Sequence, residues 1–166
     1  MSNFITLSEV FAITINRNID VNILKSTQVI VAEEMYIYNV INNDFLDKVL
    51  SDTGNTYTTL INDYIKPIIA WGTIYNNFNY LITNITDKGI VYMIVEGTAS
   101  LYGTKTIEET KREIHNTITI LTDKLIKFSN KEKKLGKIEY ELFDIVDDFS
   151  TSTMKIYSTP STITPI

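Results

Sequence analysis

The sequence contains no cysteine and very little glycine, proline, tryptophan or histidine. Its 166 residues include six glycines, three prolines, one tryptophan and one histidine. The absence of cysteine excludes disulfide bonds and thiolate zinc sites, and it fits a reducing compartment. Because the glycines stand singly, the sequence also has no glycine-rich phosphate-binding loop.

Long apolar runs and an excess of basic residues are also missing. No apolar stretch approaches the roughly 18 residues of a membrane-spanning helix, and the first residues lack the basic and apolar regions of a secretory signal. We therefore expect no membrane contact and no secretion. The formal net charge is −5, which argues against a general phosphate-binding surface because non-specific nucleic-acid affinity comes from Lys and Arg.

Apolar residues make up 44% of the chain, enough for one compact domain with a real core. We predict a mainly α fold: a bundle of about four helices with one β-hairpin insertion and an extended C-terminal arm. The helical domain spans residues 1–130, with the hairpin around 81–95, and the arm spans 131–166. The arm is predicted because the composition after Gly136 becomes rich in Ser and Thr, which rarely builds a core alone. Within it, "KIEYELFDIVDD" alternates enough to form a strand.

The first long helix is predicted after Asp20, a candidate N-cap. Its apolar residues fall on more than one face, which is typical of a helix that is central in a core or shared with a neighbour. One stripe comprises Val21, Leu24, Gln28, Val31, Met35 and Tyr38, and a second comprises Ile23, Ile30 and Ile37. A short helix through "FLDKVLSD" follows.

The most apolar segment, "YIKPIIAWGTIY", contains Pro67. A proline inside a helix removes a backbone donor and costs about 3 kcal/mol. The apolar i, i+3, i+4 spacing nevertheless continues across Pro67 without a slip, so we predict one kinked, continuous helix. Burial of extra apolar area by this helix would offset the cost of the proline.

Two further elements carry turn and cap signals. The run "YLITNITDKGIVYMIVEG" reads as a β-hairpin that turns at Asp87 and Lys88, with Gly89 in a left-handed position. A capping box starting at Thr106 begins a helix whose core face recurs at near-heptad spacing. That face comprises Ile107, Ile114, Ile118, Leu121, Leu125 and Phe128.

The candidate chemical groups are isolated. His115 is the only histidine and has no partner motif nearby in the sequence, so we interpret it as a half-exposed helix residue. The acidic pairs Glu33–Glu34 and Asp147–Asp148 do not have the spacing of a calcium loop, and adjacent helix residues do not share a face. We predict no catalytic residue, no metal site, no cofactor and no enzymatic activity.

Several segments together resemble a known family. They are "STQVIVAEEMYI", "DFLDKVL", "YTTLINDYIKPIIAWGTIY", "ITNITDKGIV" and "TIEETKREIHNTITILTDKLIKF". In this order they resemble the head–tail connector, or neck ring, proteins of tailed bacteriophages that infect Bacteroidetes, including the crAss-like phages. The likeness covers about residues 5–130.

The resemblance implies a structural virion protein in the neck or tail region, assembled in the host cytoplasm. It implies a homo-oligomeric ring, twelve-fold to match a portal, that joins the capsid to the tail. Its partners would be its own copies, the portal and adjacent neck or tail proteins. DNA would pass through the ring without sequence-specific binding, and an acidic lumen would repel its phosphates.

We expect the contacts with neighbours to come from the proline-containing helix, the hairpin tip and the arm. The residues concerned are Pro67, Ile68, Trp71, Tyr75, Asp87, Lys88, Gly89, Phe149, Met154, Ile156 and Tyr157. Two alternatives stay open: a small cytoplasmic α-helical interaction module without catalytic activity, and a small enzyme built on carboxylates, Tyr and Lys.

Overall fold

The computed structural model describes residues 4–14, 24–78, 83–86, 89–92 and 104–146. These residues form a mainly helical structure, as predicted. The helices are α1 (Leu7–Thr14), α2 (Ser26–Glu33), α3 (Asn43–Ser51), α4 (Thr58–Leu60), α5 (Lys66–Asn76) and α6 (Thr104–Lys134). Wider π-helical turns at Glu34–Tyr38 and Ile61–Ile65 continue α2 and α4. Within the described ranges, no helix combines the length and apolar character needed to cross a bilayer.

The helical path from Thr58 to Asn76 is continuous, as predicted, and we call it the central helix. The π turn ends at Ile65, and the next residue, Lys66, donates its N–H to Ile61 O, five residues back. Pro67 therefore lies in the first turn of α5, where its missing N–H breaks no regular α-helical bond. This local change of hydrogen bonding explains how the proline is accommodated.

The central helix packs against α1, α2 and α6. Its residues Ile65, Ile68 and Ile69 have no exposed surface. A salt bridge between Lys66 Nζ and Glu9 Oε1 (2.7 Å) ties it to α1. On the side toward α2, Gly72 lies directly against the Tyr36 ring, so a side chain there would overlap it.

The predicted core face of α6 is confirmed where the structure describes it. Ile114, Ile118 and Leu125 are buried, and Leu121 and Phe128 pack against the same core. The side chain of Ile107 lies outside the described residues. The helix begins at Thr104 rather than after Thr106, so the predicted start was three residues late.

The predicted first long helix differs from the structure. Helix α2 begins at Ser26, where the Lys25 N–H donates to Gln28 Oε1 (2.7 Å), and residues 15–23, including the candidate cap Asp20, lie outside the described residues. Its buried side is formed by Val29, Ala32 and Ile37. Val31 and Met35, on the first of the two predicted apolar stripes, are exposed within this subunit.

The backbone of β1 (Thr83–Thr86) pairs antiparallel with β2 (Gly89–Tyr92), with Thr86 opposite Gly89. The turn residues Asp87 and Lys88 lie outside the described residues. The hairpin as an insertion in the bundle therefore stays a prediction.

The first part of the predicted arm is packed on the helical domain. Helix α6 continues to Lys134, beyond the predicted boundary at residue 130, and a 3₁₀ turn spans Ile138–Tyr140. Tyr140 and Phe143 are buried in the same core as the helices. Instead of the predicted strand, a single antiparallel bridge joins Ile145 to Ile41. The arm was wrongly predicted over residues 131–146, because these aromatic side chains supply core that its composition did not suggest.

Candidate interaction surface

The predicted interface residues on α5 are either buried or partly used for packing within the subunit. Ile68 has no exposed surface, so it cannot contact a neighbouring subunit and its prediction as an interface residue was wrong. Pro67, Trp71 and Tyr75 are half-buried, and Trp71 and Tyr75 pack against the core. Only part of each side chain is thus left for a partner.

Aromatic contacts join the central helix to α6 along its length. The rings of Tyr64 and Phe128 stack at 4.8 Å between centroids. Near the other end, the Tyr75 ring lies 5.4 Å from that of His115, and Lys111 Nζ lies 5.5 Å from the Tyr75 centroid. Since Trp71 shares the helical stripe of Tyr64 and Tyr75, this stripe serves the contact between two helices of one subunit.

The remaining predicted residues fall mostly outside the described part of the chain. Gly89 is the first residue of β2. Nothing is described of the others, which are Asp87, Lys88, Phe149, Met154, Ile156 and Tyr157.

An exposed apolar face on α2 and its π turn was not assigned to an interface from the sequence. Val31 is 51% exposed and Met35, one turn later, is 45% exposed. Glu34 lies exposed beside them. We call these three residues the outer face. The sequence did carry a signal for it, since apolar residues on two sides of a helix are typical of a shared surface.

A second exposed apolar group follows the end of α6. Leu135, Ile138 and Leu142 are 64%, 70% and 48% exposed. We call them the C-terminal knob. Gly136 between them has φ of +73°, a left-handed conformation that glycine adopts without strain, and it ends the helix. The chain can thereby turn back toward the domain directly after Leu135.

The C-terminal knob is held firmly on the domain. Lys48 Nζ donates to Ile138 O (2.9 Å), and Lys133 Nζ donates to Phe143 O (2.7 Å). The Tyr57 hydroxyl donates to Glu139 O (2.8 Å). These bonds fix the backbone of the segment, so the exposure of its apolar side chains is a property of the folded structure.

Buried aromatic rings lie directly beneath the C-terminal knob. Phe45 contacts Tyr57, Tyr140 and Phe143 at 5.3–5.8 Å between ring centroids. Burial raises the pKa of the Tyr140 phenol to about 12, with nearby carboxylates adding to the effect. Tyr140 therefore stays neutral at physiological pH and acts as a packing residue.

The outer face and the C-terminal knob lie at opposite ends of the central helix. Met35 Sδ lies 3.4 Å from Asn76 Nδ2, at the C-terminal end of α5. The segment of the C-terminal knob contacts Tyr57, just before the first turn. At 1.5 Å per residue, the intervening helix is about 28 Å long. The two apolar groups are therefore separate surfaces.

Among the described residues, no group of three or more His, Cys, Asp or Glu side chains is placed to hold a metal ion. Glu132 is buried but forms an ion pair with Lys137. The outer face and the C-terminal knob place exposed apolar side chains beside charged ones, which suits binding to another protein.

Comparisons with known proteins give one family. A family model described as a family of unknown function (DUF6712) matches residues 37–145, well over half of the chain. No curated protein and no solved structure matches the chain. The match covers the central helix, α6 and the C-terminal knob, and it begins just after the outer face.

Proposed function

We propose that this chain, which belongs to the family of unknown function DUF6712, is a structural virion subunit that forms the head–tail connector ring of a tailed bacteriophage. The observation that carries the proposal is the presence of two separate exposed apolar groups on one small subunit. A ring requires two different surfaces, since each subunit contacts the next in a head-to-tail manner. The resemblance of the chain to neck ring proteins supplies the biological setting.

The energy available from these surfaces is modest. Completely burying a Leu, Ile, Val or Met side chain contributes about 1.5–3 kcal/mol, and the five side chains concerned are already partly buried. Association costs roughly 4–15 kcal/mol in lost freedom of motion. We therefore expect weak association of free subunits and stable rings only when they assemble on a portal or tail partner.

Further contacts are assigned to the parts of the chain beyond the helical core. In the proposed ring, the bundle carries the β-hairpin as an insertion whose tip, Asp87–Gly89, contacts the portal or the next ring. The arm starts after Val146 and lies on a neighbour, where Phe149, Met154, Ile156 and Tyr157 add apolar contacts. The negative net charge of the chain suits a channel that does not bind the DNA passing through it.

The proposal is tested by identifying this protein in purified phage particles and by reconstructing their neck. The expected result is a ring of identical subunits between portal and tail, with α6 and the central helix recognisable in the density. Absence of the protein from particles whose portal and capsid proteins are detected would refute the proposed function. It would favour the alternative of an interaction module that acts inside the cell.

A further inference from the structure

We propose that the outer face of one copy binds the C-terminal knob of the next copy. This inference rests on the proposed ring and specifies its subunit contact. Val31 and Met35 on one copy would pack against Leu135, Ile138 and Leu142 of its neighbour. All five side chains are exposed within the described structure, so none must leave a core to make the contact.

The outer face carries a negative charge, and the C-terminal knob has positive charges beside Leu135. Glu34 lies exposed within the outer face, whereas Lys131 and Lys134 lie exposed in the last turn of α6, next to Leu135. Of the other nearby lysines, Lys133 donates to Phe143 O and Lys137 pairs with Glu132. Two acidic residues, Glu139 and Glu141, lie farther along the segment, beside Ile138 and Leu142. The outer face of a second copy thus offers a carboxylate to the exposed ammonium groups beside Leu135.

Charge favours this pairing over contact between two outer faces. Two outer faces would bring their Glu34 carboxylates together, and like charges in contact are unfavourable. Because the groups lie at opposite ends of the central helix, the pairing can repeat from copy to copy and close a ring, or be made twice between two copies and close a dimer.

The absence of cysteine makes this contact directly testable. Two full-length variants, Met35→Cys and Ile138→Cys, each contain a single thiol at an exposed position. When the two are mixed under mild oxidation, we expect the mixed disulfide to form about tenfold faster than either homodimer, because docking raises the local thiol concentration. Similar rates for all three products would overturn the pairing.

Two further cysteine variants test which part of a second copy contacts the outer face. Ile120→Cys places a thiol at a site on α6 that is 54% exposed and belongs to neither group, and its mixed disulfide with Met35→Cys should form at the background rate. Ile156→Cys places a thiol in the C-terminal segment. If Met35→Cys coupled faster to Ile156→Cys than to Ile138→Cys, the arm would be the occupant and the proposal would be wrong.

A charge exchange gives an independent test. Glu34→Lys and Lys134→Glu, each introduced in both cysteine variants, should slow mixed disulfide formation about two- to fivefold, and the combination of both should restore it. If the combination did not restore the rate, Glu34 and Lys134 would not form an ion pair across the contact. If cross-linking succeeds but particles lack the protein, the contact stands and the phage assignment fails.

Discussion

The Glu9 carboxylate is the most strongly perturbed acid among the described residues. It accepts hydrogen bonds from Lys66 Nζ at 2.7 Å, and from the Thr6 N–H and hydroxyl at 2.8 Å. The Lys66 bond, followed by the Thr6 backbone bond, lowers the pKa of Glu9 from 4.5 to about 2. This one carboxylate therefore stabilises the first turn of α1 and also attaches α1 to the central helix.

Because the folded state lowers this pKa, the stabilisation is present above pH 4.5 and is lost as the pH falls toward 2. We expect Glu9→Gln to lower the free energy of unfolding by about 1 kcal/mol at neutral pH, since the Glu9 side chain is 39% exposed and screened by solvent. Urea unfolding of both proteins across this pH range should show the difference vanish in acid. A difference that persisted at pH 2 would contradict the assignment, and Glu141→Gln, on an exposed residue, serves as the control.

The contact of Gly72 with Tyr36 is a second residue-scale constraint. An added Cβ at Gly72 would lie 2.3 Å from Tyr36 Cδ2, and the Tyr36 hydroxyl is held by Asn76 Oδ1 (2.9 Å). We expect Gly72→Ala to destabilise the protein by about 1–3 kcal/mol through overpacking, although alanine favours helices by about 1 kcal/mol. Thermal or urea unfolding measures the change.

A double substitution separates overpacking from other effects at Gly72. In the Tyr36→Ala background the obstructing ring is gone, so Gly72→Ala should become neutral or stabilising. An equal loss in both backgrounds would show that the ring does not limit the approach of α2 to the central helix.

At the scale of elements, the segment after α6 behaves as part of the folded domain. Phe143 is 1% exposed, whereas its neighbour Leu142 is 48% exposed. We expect Phe143→Ala to cost about 3–5 kcal/mol of unfolding free energy and Leu142→Ala less than about 1 kcal/mol. Similar small effects for both, measured by urea unfolding, would show that the segment does not stabilise the domain.

Elements with regular periodicity could be predicted from the sequence. The buried face of α6 follows from its apolar spacing, and the central helix follows from a pattern that continues through Pro67. Periodicity fails where the helix geometry changes. The π turn at Glu34–Tyr38 adds a residue to the turn, and the contacts of the α2 segment with α5 bury Val29, Ala32 and Ile37, whereas Val31 and Met35 stay exposed.

The candidate surfaces were harder to predict than the elements. Both depend on which side of a segment the rest of the molecule covers, and that is a property of tertiary packing. The segment of the C-terminal knob looked like an arm because Ser and Thr dominate the sequence after it, while Tyr140 and Phe143 stand in a stretch whose alternation predicted an extended strand. Their burial depends on the cluster with Phe45 and Tyr57, which are distant in sequence.

At the scale of the whole molecule, two apolar groups at opposite ends of the central helix are compatible with a ring and with a two-fold dimer. In a ring each copy uses its outer face on one neighbour and its C-terminal knob on the other. In a closed dimer the same two copies would satisfy both contacts. The number of chains linked when both contacts are trapped therefore separates these assemblies.

The most direct measurement uses one full-length chain that carries both Met35→Cys and Ile138→Cys, oxidised at high concentration and separated on a non-reducing gel. We expect a ladder of covalent oligomers that ends in one dominant closed species, with the mass of a ring of about twelve copies by mass photometry. Each single variant should give no ladder, because one thiol links at most two chains. Products that stop at the monomer or the dimer in the doubly substituted chain would contradict the account.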